Sequence, residues 1–121
     1  MSRSVTITNQ SLAGLDFVVA PPNGVKYKAF GFNFSAFIDG QDPTVNAQVS
    51  EDQVRMRLSN IAPYTQSVRL FGSRNGLENA GRIAHSLGLK VACGAWIDTH
   101  TTTNELEFNS LLTMATNGDC D

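Results

Sequence analysis

Arg69 is the most conspicuous chemical group in the sequence, because it stands inside the apolar stretch SVRLFG, Ser67–Gly72. A guanidinium in such a stretch needs either a carboxylate partner or an open cavity. Trp96, the one tryptophan, lies near the end of a second apolar stretch, KVACGAWID, Lys90–Asp98. An indole at a strand end can stack on the apolar face of a sugar ring, or it can simply fill the mouth of a barrel. Asp98 closes the same stretch and invites an acid or base role. Retaining glycosidases place two carboxyl groups roughly 5–5.5 Å apart, and inverting ones place them wider. Asp98 has no such partner in the sequence. Asp39 and Asp42 belong to a turn-rich loop, and Glu105 and Glu107 are expected at the start and on the surface of a helix. An orienting role for Asp98 is the better expectation, and no residue is assigned to catalysis.

Other reactive side chains have plain structural readings. His85 is expected mid-helix and solvated. His100, in the loop DTHTTTN, could share an ion with Asp98, but no third ligand is at hand, so no metal and no cofactor are expected. Cys93 lies in an apolar run and Cys120 among the polar residues NGDCD. A disulfide between them is weakly motivated, and two thiols form neither a zinc site nor a disulfide framework. The loop GSRNG, Gly72–Gly76, lacks the glycine spacing of a dinucleotide fingerprint and the lysine of a P-loop, and its glycines are expected to serve a tight turn.

Three strand-then-helix units position these residues. AFGFNF, Ala29–Phe34, carries aromatics on alternate positions and leads through the loop IDGQDPT to a capping box at Ser50–Gln53. Val54, Leu58 and Ile61 then form one apolar helical stripe, which Pro63 stops. The second unit pairs the Arg69 strand with a helix marked by Leu77, Ala80, Ile83, Ala84 and Leu87 and closed by Gly88. The third pairs the Trp96 strand with a helix starting in the capping box Thr102–Glu105 and carrying Phe108, Leu111, Leu112 and Ala115 as its stripe. Ahead of residue 29 the stretch Ser4–Pro22 alternates weakly and reads as a short hairpin. The expected organisation is therefore an N-terminal extension over 1–28 and an α/β unit over 29–121. An open doubly wound sheet and a (β/α)8 barrel both use this pattern, and in both the ligand site lies beyond the C-terminal ends of the strands. That rule selects Asn33 and Phe34, Arg69 and Phe71, and Trp96 and Asp98 as the candidate substrate-binding residues.

Composition narrows the partners. The chain of 121 residues has a formal net charge of −2 and its nine basic residues form no run, so a nucleic-acid partner is not expected. No apolar stretch is long enough to suggest a membrane span, and MSRSVTITNQ lacks the apolar segment of a signal peptide.

Three stretches, taken in order, resemble glycoside hydrolase family 17. GFNFSAFIDGQDP with SEDQVRMRLSNIA resembles the first unit of its bacterial and fungal members. SVRLFGSRNGLENAGRIAHSLGLKVACGAWID resembles the second and third strands with the intervening helix, and TTTNELEFNSLL, with Asn104 and Glu107, resembles the third helix. The resemblance covers about three quarters of the chain. It implies the first three units of a (β/α)8 TIM barrel, an incomplete barrel, acting on β-1,3-glucan by retention with two glutamates and no metal. The family's acid/base glutamate follows a Val-Gly-Asn-Glu pattern on the fourth strand and its nucleophile comes later, so neither is expected within these residues. Phe71 departs from the tyrosine that many members carry after the arginine. The resemblance therefore implies a sugar-cradling wall without turnover of its own. A non-catalytic carbohydrate-binding or assembly partner, self-associating through two open sheet edges, is the alternative.

Overall fold

A computed structural model describes residues 28–121 in full and, for the backbone alone, the strands β1 (Ile7–Ser11) and β2 (Asp16–Val19). These two strands pair antiparallel, Ile7 opposite Val19, with an irregularity between Asn9 and Ser11. The remainder of the expected hairpin segment, Pro21 and Pro22 included, lies outside the described residues.

The rest is an α/β arrangement in the order β3 (Phe32–Asn33), α1 (Glu51–Ile61), β4 (Ser67–Arg69), α2 (Ala80–Ser86), β5 (Lys90–Ala92) and α3 (Thr101–Thr116). The last three strands form one parallel sheet, β3-β4-β5. β3 is shorter than its alternation suggests. Its N-terminal part meets β4's side of the sheet through the Ala29–Thr65 bridge and the Ser67 hydroxyl, which donates to Phe30 O, and Phe34 continues the pairing by donating its N–H to Arg69 O at 2.9 Å.

Helix ends follow local chemistry. Ser50 caps α1 as expected, accepting from Gln53 N–H at 3.1 Å. Gln53 does not reach back to close the box. It donates instead to Ala36 O at 2.6 Å and so ties the β3–α1 loop to the helix. α2 begins later than its apolar spacing suggests, because Leu77–Asn79 form a 3-10 turn first. Its end is a Schellman motif. Leu89 N–H bonds Ala84 O at 2.9 Å and Gly88 N–H bonds His85 O at 3.0 Å, with Gly88 at φ +79°, a conformation open to a residue without Cβ. The expected capping box at Thr102 does not form. α3 starts at Thr101 behind His100, whose side chain caps nothing. Asn104 is instead drawn to the backbone of Asp98, which pulls Thr102 into the first turn.

The core lies between the sheet and its helices. Val68, Leu70 and Val91 meet Val54 and Leu58 of α1 and Ala80, Ile83 and Ala84 of α2, all fully buried. Among the described residues, one face of the sheet is covered in this way. α3 departs from expectation: its buried positions are Glu107 and Met114, whereas Phe108, Leu112 and Ala115 face outward. The apolar spacing is real, but the contacts of Glu107 rotate the stripe away from the core.

After α3 the chain turns through a second Schellman motif, Asp119 N–H to Met114 O at 2.9 Å and Gly118 N–H to Ala115 O at 3.1 Å. It then returns to β5. Asp121 donates its N–H to Val91 O at 2.9 Å, and its Oδ2 accepts from Val91 N–H at 2.8 Å. His85 is therefore not simply solvated, since its Nε2 lies 2.8 Å from the same Asp121 oxygen. Cys93 and Cys120 form a disulfide with Cα atoms 5.6 Å apart. The pairing was only weakly motivated in sequence, because it depends on α3 bringing residue 120 back beside the exit of β5.

Candidate functional site

Alternation along a strand places successive side chains on opposite faces. The sheet register sets Phe32, Val68 and Val91 in one row and Asn33, Arg69 and Ala92 in the next. Val68 and Val91 belong to the helix-covered face. Asn33, Arg69 and Ala92 are exposed on the other. Two residues further along β4's direction, Phe71 falls on the same side as Arg69 and is 39% exposed. The Arg69 guanidinium lies over the Phe71 ring, 5.0 Å from its centroid. This cation–π contact is worth about 0.5–1 kcal/mol at an exposed site. Among the described residues no carboxylate bridges Arg69, so a structural ion pair does not account for its place in the strand.

The six expected site residues do not all meet. Phe34 is 5% exposed and belongs to the hydrophobic core, so the structure removes it from the candidate ligand surface. Parity decides this: Phe34 is one residue beyond Asn33 and faces the helices. Asn33, Arg69 and Phe71 share the open face. Trp96, 59% exposed, lies four residues beyond the end of β5, outside the strand, where strand alternation no longer assigns it a face.

Asp98 occupies a closed hydrogen-bond clamp at the start of α3. Its Oδ1 accepts from His100 N–H at 2.7 Å and lies 3.0 Å from His100 Nδ1. Its own N–H donates to Asn104 Oδ1 at 2.9 Å, and its carbonyl accepts from Asn104 Nδ2 at 2.7 Å. The His100 backbone bond is the main influence holding the Asp98 carboxyl below its ordinary value of 3.8. Such a carboxylate is ionised near neutrality and cannot serve as a proton donor there. Its orienting role is toward the loop.

The residue that sequence reasoning missed is Glu107. It is 7% exposed, and its Oε2 accepts from Ser73 N–H at 2.9 Å and Trp96 N–H at 3.1 Å. One carboxylate thus joins the chain after β4 to the chain after β5. Ser73 extends the link by donating its hydroxyl to Gly94 O at 2.7 Å, and Ser110 donates to Ser73 O. The available signal was the i, i+3 pairing of Glu107 with Ser110 on one face of α3, which the neighbouring apolar stripe outweighed.

The protein has no match among family models, characterised proteins or solved structures.

Two depressions lie away from the open row. A depression of about 680 Å³ runs between α2 and α3 past Arg82, Asn109 and Asp119, and one of about 430 Å³ borders Ile97, Asn104 and Phe108. Neither includes Asn33, Arg69 or Phe71. Among the described residues no cluster of three metal-ligating side chains occurs, and no helix is long and apolar enough to cross a membrane.

Proposed function

We propose that this protein forms one wall of a glycoside hydrolase family 17-like (β/α)8 barrel and contributes a β-1,3-glucan-binding surface. The observation that carries the reading is the open row of Asn33, Arg69 and Phe71, with the exposed Trp96 in the chain that follows β5. Asn33 and Arg69 offer hydrogen-bond donors to sugar hydroxyls, and Phe71 and Trp96 offer apolar faces to pyranose rings. Two further features support it. All-parallel sheets normally have both faces covered, and here one face lacks a cover among the described residues. Residues after α3 return to the outer edge of β5, where a right-handed repeat places its next strand.

Turnover is not part of the proposal. Asp98 is committed to the α3 clamp and Glu107 to two backbone N–H groups. That leaves the row without the paired carboxyl groups that retention requires. Binding is tested by titrating β-1,3-linked gluco-oligosaccharides while following Trp96 emission, the only indole signal. A saturable change that Arg69→Ala weakens supports the reading. No change at millimolar ligand overturns it, and robust laminarin hydrolysis by the purified protein overturns its non-catalytic half.

A further inference from the structure

Beyond β4 and β5 the chain leaves the sheet, and the two aromatic residues of the proposed surface stand there. Phe71 is two residues past β4 and Trp96 four residues past β5. Both rings are exposed, so core packing holds neither in place. Their backbone is held from below by one carboxylate. Glu107, buried on α3, accepts from Ser73 N–H at 2.9 Å and from Trp96 N–H at 3.1 Å, both at Oε2. The residue after Phe71 folds directly over the same group, since a Cβ on Gly72 would lie 3.6 and 3.7 Å from the two Glu107 oxygens. The Ser73 hydroxyl donates to Gly94 O at 2.7 Å, and Ser110 of α3 donates to Ser73 O. Gly94 in turn lies against the end of β4, where a Cβ would stand 2.5 Å from Leu70 O.

A buried carboxylate is a costly way to gain stability, because apolar side chains of similar volume often do as well or better. Its hydrogen bonds are directional, and what they add to packing is position.

We propose that Glu107 is the positioning residue of the open surface: it fixes the chain at Trp96 and beside Phe71 before a ligand arrives. The inference rests on the sugar-binding reading for what the rings contact, and on the Glu107 hydrogen bonds alone for how they are held. Glu107 touches no ligand in this role. It acts through two N–H groups, and the two strand-end segments answer together, through Oε2 and through the Ser73 hydroxyl on Gly94. A ring released from this hold has to be ordered on binding, which weakens affinity roughly two- to tenfold for each ring.

The test uses the full chain. Glu107→Gln keeps an acceptor oxygen, and Glu107→Met fills the space without one. Val54→Ala, a core truncation on α1 outside this network, controls for lost stability alone. NMR order parameters are read at the Ser73 and Trp96 amides, at a temperature where far-UV dichroism shows each variant folded. Values near the rigid limit of about 0.85 are expected in wild type and Val54→Ala, below about 0.6 in Glu107→Met, and between the two in Glu107→Gln. Affinity for β-1,3-linked gluco-oligosaccharides, measured by calorimetry so that the readout is independent of Trp96, is expected to fall in the same order. Rigid amides in Glu107→Met overturn the positioning role, as does a loss of order that Val54→Ala reproduces. Order lost with affinity unchanged overturns its service to binding. Should wild type bind no gluco-oligosaccharide, the sugar reading fails, and the order parameters alone decide whether Glu107 positions the two segments. Should Glu107→Met not fold, Glu107→Gln decides, and amides as rigid as in wild type overturn the proposal.

Discussion

Replacing Glu107 tests the most consequential contact the structure adds to the sequence. In Glu107→Ala the N–H groups of Ser73 and Trp96 lose their shared acceptor. An unsatisfied buried donor costs about 1–3 kcal/mol, and at 7% exposure little water can reach the gap. The two together give a loss of roughly 2–6 kcal/mol. For a folded unit of this size each kcal/mol moves Tm by roughly 4–8 °C, so a fall of at least about 8 °C is expected. Glu107→Gln keeps an acceptor oxygen but not the charge. A bond to a charged group exceeds a neutral one by about 1 kcal/mol, which places Gln between wild type and Ala. Glu107→Met separates hydrogen bonding from packing, because it refills the space while leaving both donors unpaired. The assay is urea unfolding followed by far-UV dichroism for the whole chain and by Trp96 emission for the strand-end loops. An Ala variant within about 0.5 kcal/mol of wild type, the range of an ordinary surface substitution, would refute the reasoning. A Met variant as stable as wild type would assign the effect to packing.

Two further predictions concern carboxylates and backbone. Asp98 and Asp121 have carboxyl pKa values below 3.8, Asp98 chiefly through the His100 N–H and Asp121 chiefly through the His85 side chain. A depressed folded value stabilises the protein at pH well above the unfolded value of 3.8, and that contribution is lost as pH falls below 3.8 through the folded values. Carboxyl NMR shifts should therefore show both groups titrating below 3.8, and midpoints at or above it would contradict the two contacts. Gly76 sits at φ +100°, and a Cβ there would lie 1.9 Å from Val49 O, so Gly76→Ala is expected to destabilise the chain by more than about 1 kcal/mol in chemical unfolding. Gly72, by contrast, has only ordinary contacts around an added Cβ, so its counterpart should be tolerated far better.

What could be read from sequence followed from period and punctuation. The Val54–Leu58 stripe, the Ser50 cap and the Gly88 stop each depend on residues within a few positions, and each recurs in the structure. Strand existence was legible for the same reason, but strand parity was not. Asn33 and Phe34 read alike in a short apolar run, and only pairing with β4 shows that one faces out and the other in. The non-local contacts had little or no local signal. Cys93 meets Cys120 across 27 positions, and Asp121 reaches Val91 only once α3 has folded the chain back. Glu107 was misread for a physical reason too. A carboxylate beside an apolar helical stripe normally faces water, and two unpaired N–H groups on distant loops reverse that preference.

Among the described residues, two exposed surfaces differ in character. The open sheet face carries Arg69, whose charge would be costly under an apolar cover but suits a polar ligand or a wet cavity. The outward stripe of α3 carries Phe108 and Leu112, which suit a neighbouring helix and not a sugar. An open polar sheet face and an apolar outer helix face are the two environments that the proposed (β/α)8 wall would require. An open doubly wound sheet would instead put helices on the Arg69 face, where the guanidinium would need an ion-pair partner. None of the described carboxylates lies within salt-bridge distance of it, and on that physical ground the barrel wall is the architecture we propose.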